Sequence, residues 1–96
     1  MLREKQKMKR GRLEIIRDIL KIIQDNRNSI KQTPLLRKSN LSSSKFKEYF
    51  LELIKKDFVK ETQNKYGERT VSLTEKGYNY IEKYKTIVGF IEEFEL

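Results

Sequence analysis

The sequence predicts a small α+β domain, mostly helical, with one two-stranded hairpin set ahead of its last helix. Three observations predict it. Apolar residues recur at three- and four-residue spacing in three separate stretches. Between the second and third of these, residues 58–62 and 69–73 show partial alternation around a segment containing Asn64 and Gly67. At 96 residues the chain has room for one core and little for a deep substrate cavity.

The elements follow in order. Residues 1–10 lack apolar periodicity and read as a basic arm, with Gly11 at its joint to the first helix. In that helix Leu13, Ile16, Leu20 and Ile23 form one stripe and Ile15, Ile19 and Ile22 a second. Together the stripes cover about half the circumference at 100° per residue. One small core needs less, so the second stripe is expected to meet another helix, from this chain or from a second copy. Residues 25–29 (Asp-Asn-Arg-Asn-Ser) read as a helix end and loop.

Thr33-Pro34 reads as an N-cap followed by proline at the first helical position, where its missing N–H costs nothing. Leu35 and Leu36 anchor this short second helix. It ends near Ser39-Asn40, asparagine being tolerant of the left-handed conformation. Leu41 is expected to plug the turn, and Ser42 or Ser43 to cap a third helix through Lys55 or Lys56. Phe46, Tyr49, Phe50, Leu53 and Ile54 form its apolar side; Ser44, Glu48, Leu51 and Lys55 lie opposite. Thr74 caps the last helix, with Glu75 in its first turn near the positive dipole end. Tyr80, Tyr84, Ile87, Ile91 and Phe94 then recur at 4-3-4-3 spacing, the pattern of a coiled-coil seam, widened by Ile81 and Val88.

Short helix, tight turn, longer helix, hairpin and closing helix, in that order, make a winged helix-turn-helix. The division is a basic arm at 1–10, a winged helix-turn-helix domain at 11–73 and a C-terminal dimerisation helix at 74–96.

Composition narrows function. Hydrophobic residues are 36% and charged residues 38%; the apolar share is low but periodic, as in a folded domain with a highly charged surface. The chain contains neither Cys nor His, which excludes thiolate zinc sites and Ser-His or Cys-His nucleophiles. No catalytic residue, metal site or cofactor is expected, and no small-molecule pocket is visible. With no signal peptide and no bilayer-length apolar run, a cytoplasmic, nucleoid-associated protein is expected.

The formal net charge is +8: residues 1–12 carry +5, residues 13–84 another +5, and the last twelve −2. An anionic partner should meet the arm and the middle and avoid the C-terminus. A fold that can enter a groove, joined to that charge, points to double-stranded DNA. The candidate contacts are Ser43, Ser44, Lys45 and Lys47 on the third helix, Lys65, Tyr66 and Arg69 on the wing (with Lys60 beside them), and Arg37 and Lys38 at the end of the second helix. Tyr66 has a second reading, folded over the sheet. No Arg, Asn or Gln lies within residues 42–56, the types that make the commonest bidentate base contacts. Affinity is therefore expected mostly from backbone contacts. Glu48 and Glu52 should repel phosphates unless one accepts from a cytosine amine. Tyr80, Tyr84, Ile87, Ile91 and Phe94 are the candidate homodimer interface, the other reading being a helix packed back on Ile15, Ile19 and Ile22. A protein-interaction module without direct DNA readout is the alternative function.

These residues carry a resemblance. The run from Arg12 to Leu20 (RLEIIRDIL) is similar to the first-helix signature of small archaeal winged-helix DNA-binding proteins, the Sulfolobus-type ten-kilodalton group with its viral and plasmid relatives. Asn40-Leu41-Ser42, Phe46, Tyr49-Phe50, Leu53-Ile54 and Phe58-Val59 resemble that family's turn, recognition helix and first wing strand. Leu73-Thr74-Glu75-Lys76-Gly77 is similar to the L-T-x-x-G step from wing to last helix of many winged-helix regulators. The resemblance covers most of residues 10–85. It implies DNA-binding regulators or chromatin-associated proteins that dimerise through an antiparallel coiled coil of the last helix. Here that helix has about 22 residues, shorter than in the best-known members. A compact helix pair or a helix-on-domain dimer therefore stands beside the coiled coil.

Overall fold

The computed structural model describes residues 10–96. The arm at residues 1–9 lies outside the described residues. The element order is α1 (Arg12–Asp25), α2 (Gln32–Ser39), α3 (Ser43–Lys55), β1 (Val59–Gln63), β2 (Arg69–Leu73) and α4 (Glu75–Glu93). The strands pair antiparallel from Val59 opposite Leu73 to Gln63 opposite Arg69. This is a winged helix-turn-helix, as the apolar spacing predicts.

α1 is the hub. Ile16, Ile19, Leu20 and Ile23 are buried, and α1 packs against α2, α4 and β2. Ile30 after α1, Leu35 of α2, Phe46, Phe50 and Leu53 of α3, Val59, Val71 and Leu73 of the wing and Ile81 of α4 complete the core. Removing each Leu, Ile or Phe from water contributes about 1.5–3 kcal/mol. Both predicted stripes of α1 serve their own chain: Ile19 is fully buried, and Ile15 and Ile22 pack half-buried against the core. Leu13, placed on the first stripe by its spacing, is instead 59% exposed in the first turn of α1.

The chain leaves α1 through two left-handed residues, Arg27 and Asn28, and Asn28 Oδ1 accepts the Leu73 N–H at 2.7 Å. Ile30 then exchanges two backbone hydrogen bonds with Val71, 2.7 and 3.1 Å long. This pairing moves the start of α2. The sequence places Thr33 as its cap, but the extended chain ends at Lys31 and the helix begins at Gln32 with Lys31 as N-cap. Pro34 is thus the third helical residue, still within the first turn, where no carbonyl awaits its N–H. α2 ends as expected, on Asn40 in the left-handed region (φ 60°, ψ 29°). Buried Ser39 donates from Oγ to the Leu36 carbonyl and accepts from the Leu41 N–H. Ser42 caps α3 by accepting from the Lys45 N–H at 3.2 Å.

α3, the wing and α4 meet at one junction, held by side-chain and backbone hydrogen bonds. Asp57 turns through the left-handed region (φ 65°). Phe58, read as the first strand residue, sits in this turn, and β1 starts one residue later. Thr74 Oγ1 donates to the Asp57 carbonyl at 2.6 Å and accepts the Gly77 N–H at 3.1 Å, capping α4. Lys76 Nζ donates to the Lys56 carbonyl at 2.8 Å, placing a cation at the negative end of α3.

Candidate nucleic-acid interface

α3 is held by its inner face and free on its outer one. Phe46 and Phe50 stack with centroids 5.5 Å apart and are buried together with Leu53. Opposite, Ser43, Ser44, Lys45, Lys47, Glu48, Leu51 and Lys55 are exposed. The helix-turn-helix thus presents the face that the sequence assigns to recognition.

Beside α3 stands the wing. Its tip is built on Asn64, whose Oδ1 accepts the N–H groups of Tyr66 and Glu68 at 2.9 and 3.0 Å. Gly67 completes the turn at φ +81°, where other residues are strained. Glu68 is held by Lys31 Nζ at 2.6 Å and Asn64 Nδ2 at 3.1 Å. The Lys31 hydrogen bond, then that from Asn64, keep its carboxyl pKa below the usual value. Tyr66 is 75% exposed with Lys65 Nζ 5.3 Å from its ring centre. The reading of Tyr66 as folded over the sheet is thereby corrected: the tight tip points the ring outward.

Between α2, α3 and the wing runs an open groove of about 430 Å³ bordered by Gln32, Thr33, Ser43, Lys47, Leu51 and Arg69. It brings together three sequence candidates: Ser43, Lys47 and Arg69. Lys45 lies on the other flank of α3, in a hollow shared with Arg12, Glu48 and Glu52. Lys65 and Tyr66 occupy the wing tip, and exposed Arg37 and Lys38 the last turn of α2. Ser44 faces outward between the two flanks.

Ion pairing sorts these cations. Lys45 meets Glu48 at 3.8 Å. Among the described residues Arg37, Lys38, Lys47, Lys65 and Arg69 have no acidic partner. The expected repulsion from Glu52 is largely cancelled locally, because Arg12 and Lys56 (2.9 Å) both pair with it. Sequence reasoning missed this clamp, since Arg12 and Glu52 are 40 positions apart. It also missed the placement of Arg10, which it counted with the arm. Arg10 pairs with Asp18 at 2.7 Å and donates to the Ser39 carbonyl at 2.9 Å. The chain therefore enters α1 beside the helix-turn-helix.

The predicted seam on α4 divides in two. Tyr80 and Tyr84 pack on their own chain: Tyr80 donates to the Leu13 carbonyl at 2.8 Å, its ring meets Phe58 edge-on at 5.4 Å, and Arg17 lies 5.1 Å over Tyr84. Ile87, Ile91 and Phe94 are 55%, 42% and 57% exposed. Phe90, off the seam in the sequence reading, is 55% exposed beside Phe94 at 4.9 Å. Among the described residues no metal-holding cluster of acidic side chains occurs, and no helix is long and apolar enough to cross a membrane.

Comparison with known proteins agrees with this geometry. Residues 9–92 match the winged helix-turn-helix family model, and the chain belongs to that family. Sso10a-2, a DNA-binding protein from Sulfolobus solfataricus, has a similar fold, with a TM-score of 0.70 and 19% identity over 90% of this chain and 86% of its own. F-93 of SSV1 is similar at a TM-score of 0.64, with 30% identity over 83% of this chain and 91% of its own. Both neighbours fall in the group that the first-helix and turn motifs resemble. No curated protein matches the chain.

Proposed function

We propose that this chain is a dimeric winged-helix DNA-binding protein, acting as a transcriptional regulator or a chromatin-associated binder. α3 enters the major groove and the wing lies along the backbone. The observation that carries the reading is the exposed outer face of α3, with Lys47 and Arg69, which have no acidic partner among the described residues, bordering the same groove. Lys65 and Tyr66 at the wing tip, with Arg37 and Lys38 at the end of α2, extend that positive surface on two sides. The family and the DNA-binding description of Sso10a-2 support it. Phosphates supply the missing partners for these cations, and their neutralisation releases condensed counterions. The basic segment before Arg10 adds further backbone contacts. The chain acts by binding, without catalysis, at the nucleoid.

The exposed apolar end of α4 supports the homodimer. Ile87, Phe90, Ile91 and Phe94 form a contiguous apolar strip on an otherwise charged domain, the kind of surface that another chain covers. A second copy in two-fold arrangement would present two α3 helices to one side of DNA.

A salt titration of duplex binding tests the reading. We expect affinity to fall steeply with salt, and a variant with Lys45, Lys47, Lys65 and Arg69 changed to Gln to bind weakly while keeping its helical spectrum. Binding that is indifferent to salt and to these four changes would sink the DNA reading in favour of a protein-interaction module.

A further inference from the structure

Leu51 stands in the middle of the outward stripe of α3. At 100° per residue it lies about 20° around the helix from Ser44 and about 40° from Lys47 and Lys55, on the side away from Phe46 and Phe50. It is 57% exposed and borders the groove shared with Lys47 and Arg69. A lone exposed leucine is ordinary on a protein surface. This one occupies the centre of the face that, on the reading proposed above, meets base edges, and on this reading the inference rests.

The major groove offers donors, acceptors and a single apolar group, the C5 methyl of thymine. An isobutyl group pressed against a donor or acceptor displaces its water and leaves it unpaired, which is unfavourable. Against a thymine methyl, both partners leave water with gain. Residues 43–55 hold no Arg, Asn or Gln that could make a bidentate base contact instead. The side chains neighbouring Leu51 on the outward face are Ser44, Lys47 and Lys55, suited to phosphates and water-mediated contacts, and Glu48, which is paired with Lys45 at 3.8 Å. We infer that Leu51 is a specificity-determining residue that selects thymine through its C5 methyl group. The consequence is a preference for A·T pairs at one or two fixed positions of each half-site, within otherwise permissive binding.

The test starts from the duplex that the full chain selects most tightly from a random pool. Each thymine is replaced in turn by deoxyuridine, which removes only the methyl group. We expect one or two positions per half-site where the replacement weakens binding about fourfold, the effect of one buried methyl-sized group. Leu51→Ala should bind the thymine and uracil duplexes alike, near the wild-type affinity for the uracil form. Alanine is favourable at an exposed helical position, and circular dichroism verifies the fold. Undiminished binding at every thymine-to-uracil replacement overturns the inference and leaves DNA binding standing. A methyl effect that persists in Leu51→Ala also overturns it, assigning the effect to DNA shape or another residue. Duplex binding with no sequence preference overturns the inference and leaves DNA binding standing; failure of the wild-type chain to bind any duplex at low salt overturns the DNA reading itself, and the inference with it.

Discussion

At Gly77 an added Cβ would stand 2.4 Å from the Phe58 carbonyl oxygen, a backbone atom that also accepts the Thr74 N–H at 3.1 Å. That carbonyl cannot retreat without opening the turn that carries Asp57. Alanine is better than glycine within a helix by about 1 kcal/mol, but overpacking against fixed backbone outweighs it. We expect Gly77→Ala to lower stability by about 2 kcal/mol, seen as a lower urea midpoint at unchanged slope. Tyr80 makes a second prediction at this scale. Its pKa is raised above the ordinary 10.0, chiefly by burial and next by Tyr84, while Arg12 and Arg17 pull the other way. A raised pKa means that the folded state favours the neutral phenol, which donates to Leu13. The contribution is complete below pH 10 and is lost as pH rises through the folded value. Relative to wild type, Tyr80→Phe should lack this component of alkaline destabilisation, as read by unfolding curves collected on either side of pH 10.

Among the elements, α4 does two different things along its length. Its first two turns are part of the domain, fixed by the Thr74 cap, Gly77 and buried Ile81. Beyond Tyr84, half-buried Val88 is the only residue of the helix that is not exposed. The 4-3-4-3 spacing identifies an apolar face but cannot apportion it between the home core and a partner, because both need the same residue types. Phe90→Lys combined with Phe94→Lys checks the proposed dimer. Sedimentation should report a mass near two chains for the wild type and near one for the variant, with unchanged near-native helicity. A dimeric variant would show that the interface lies elsewhere. α3 differs again: its inner face was readable from spacing alone, whereas the role of its outer face depends on the wing brought alongside.

For the whole molecule the governing quantity is charge distribution. The middle of the chain and the arm carry the excess of positive charge and the last twelve residues the excess of negative, so the proposed DNA contact is expected on the former and not on the latter. Each phosphate neutralised adds about 0.9 to the slope of log affinity against log salt. The fourfold Gln variant should therefore lose up to about 3.6 of that slope per chain, and about twice as much per dimer. A slope unchanged by the four substitutions would place the phosphate contacts on other cations.

Local physics explains what the sequence determined by itself. The order of helices and strands, the Ser42 and Thr74 caps and the left-handed Asn40 follow from side-chain period and from hydrogen bonds within a few residues. So does the inward face of α3, and with these the winged helix-turn-helix class. The net charge needed no structure either. Contacts between distant residues were decided only by the tertiary structure. The Ile30–Val71 pairing moved the start of α2 to Gln32; the Arg12–Glu52 pair cancelled a charge expected to repel phosphate. Gly77 owes its need for a bare Cα to a carbonyl 19 positions earlier. The division of α4 into a packed and an exposed part arose where the core ended. None of these leaves a periodic or capping signal in the chain, because each depends on which surfaces folding brings together.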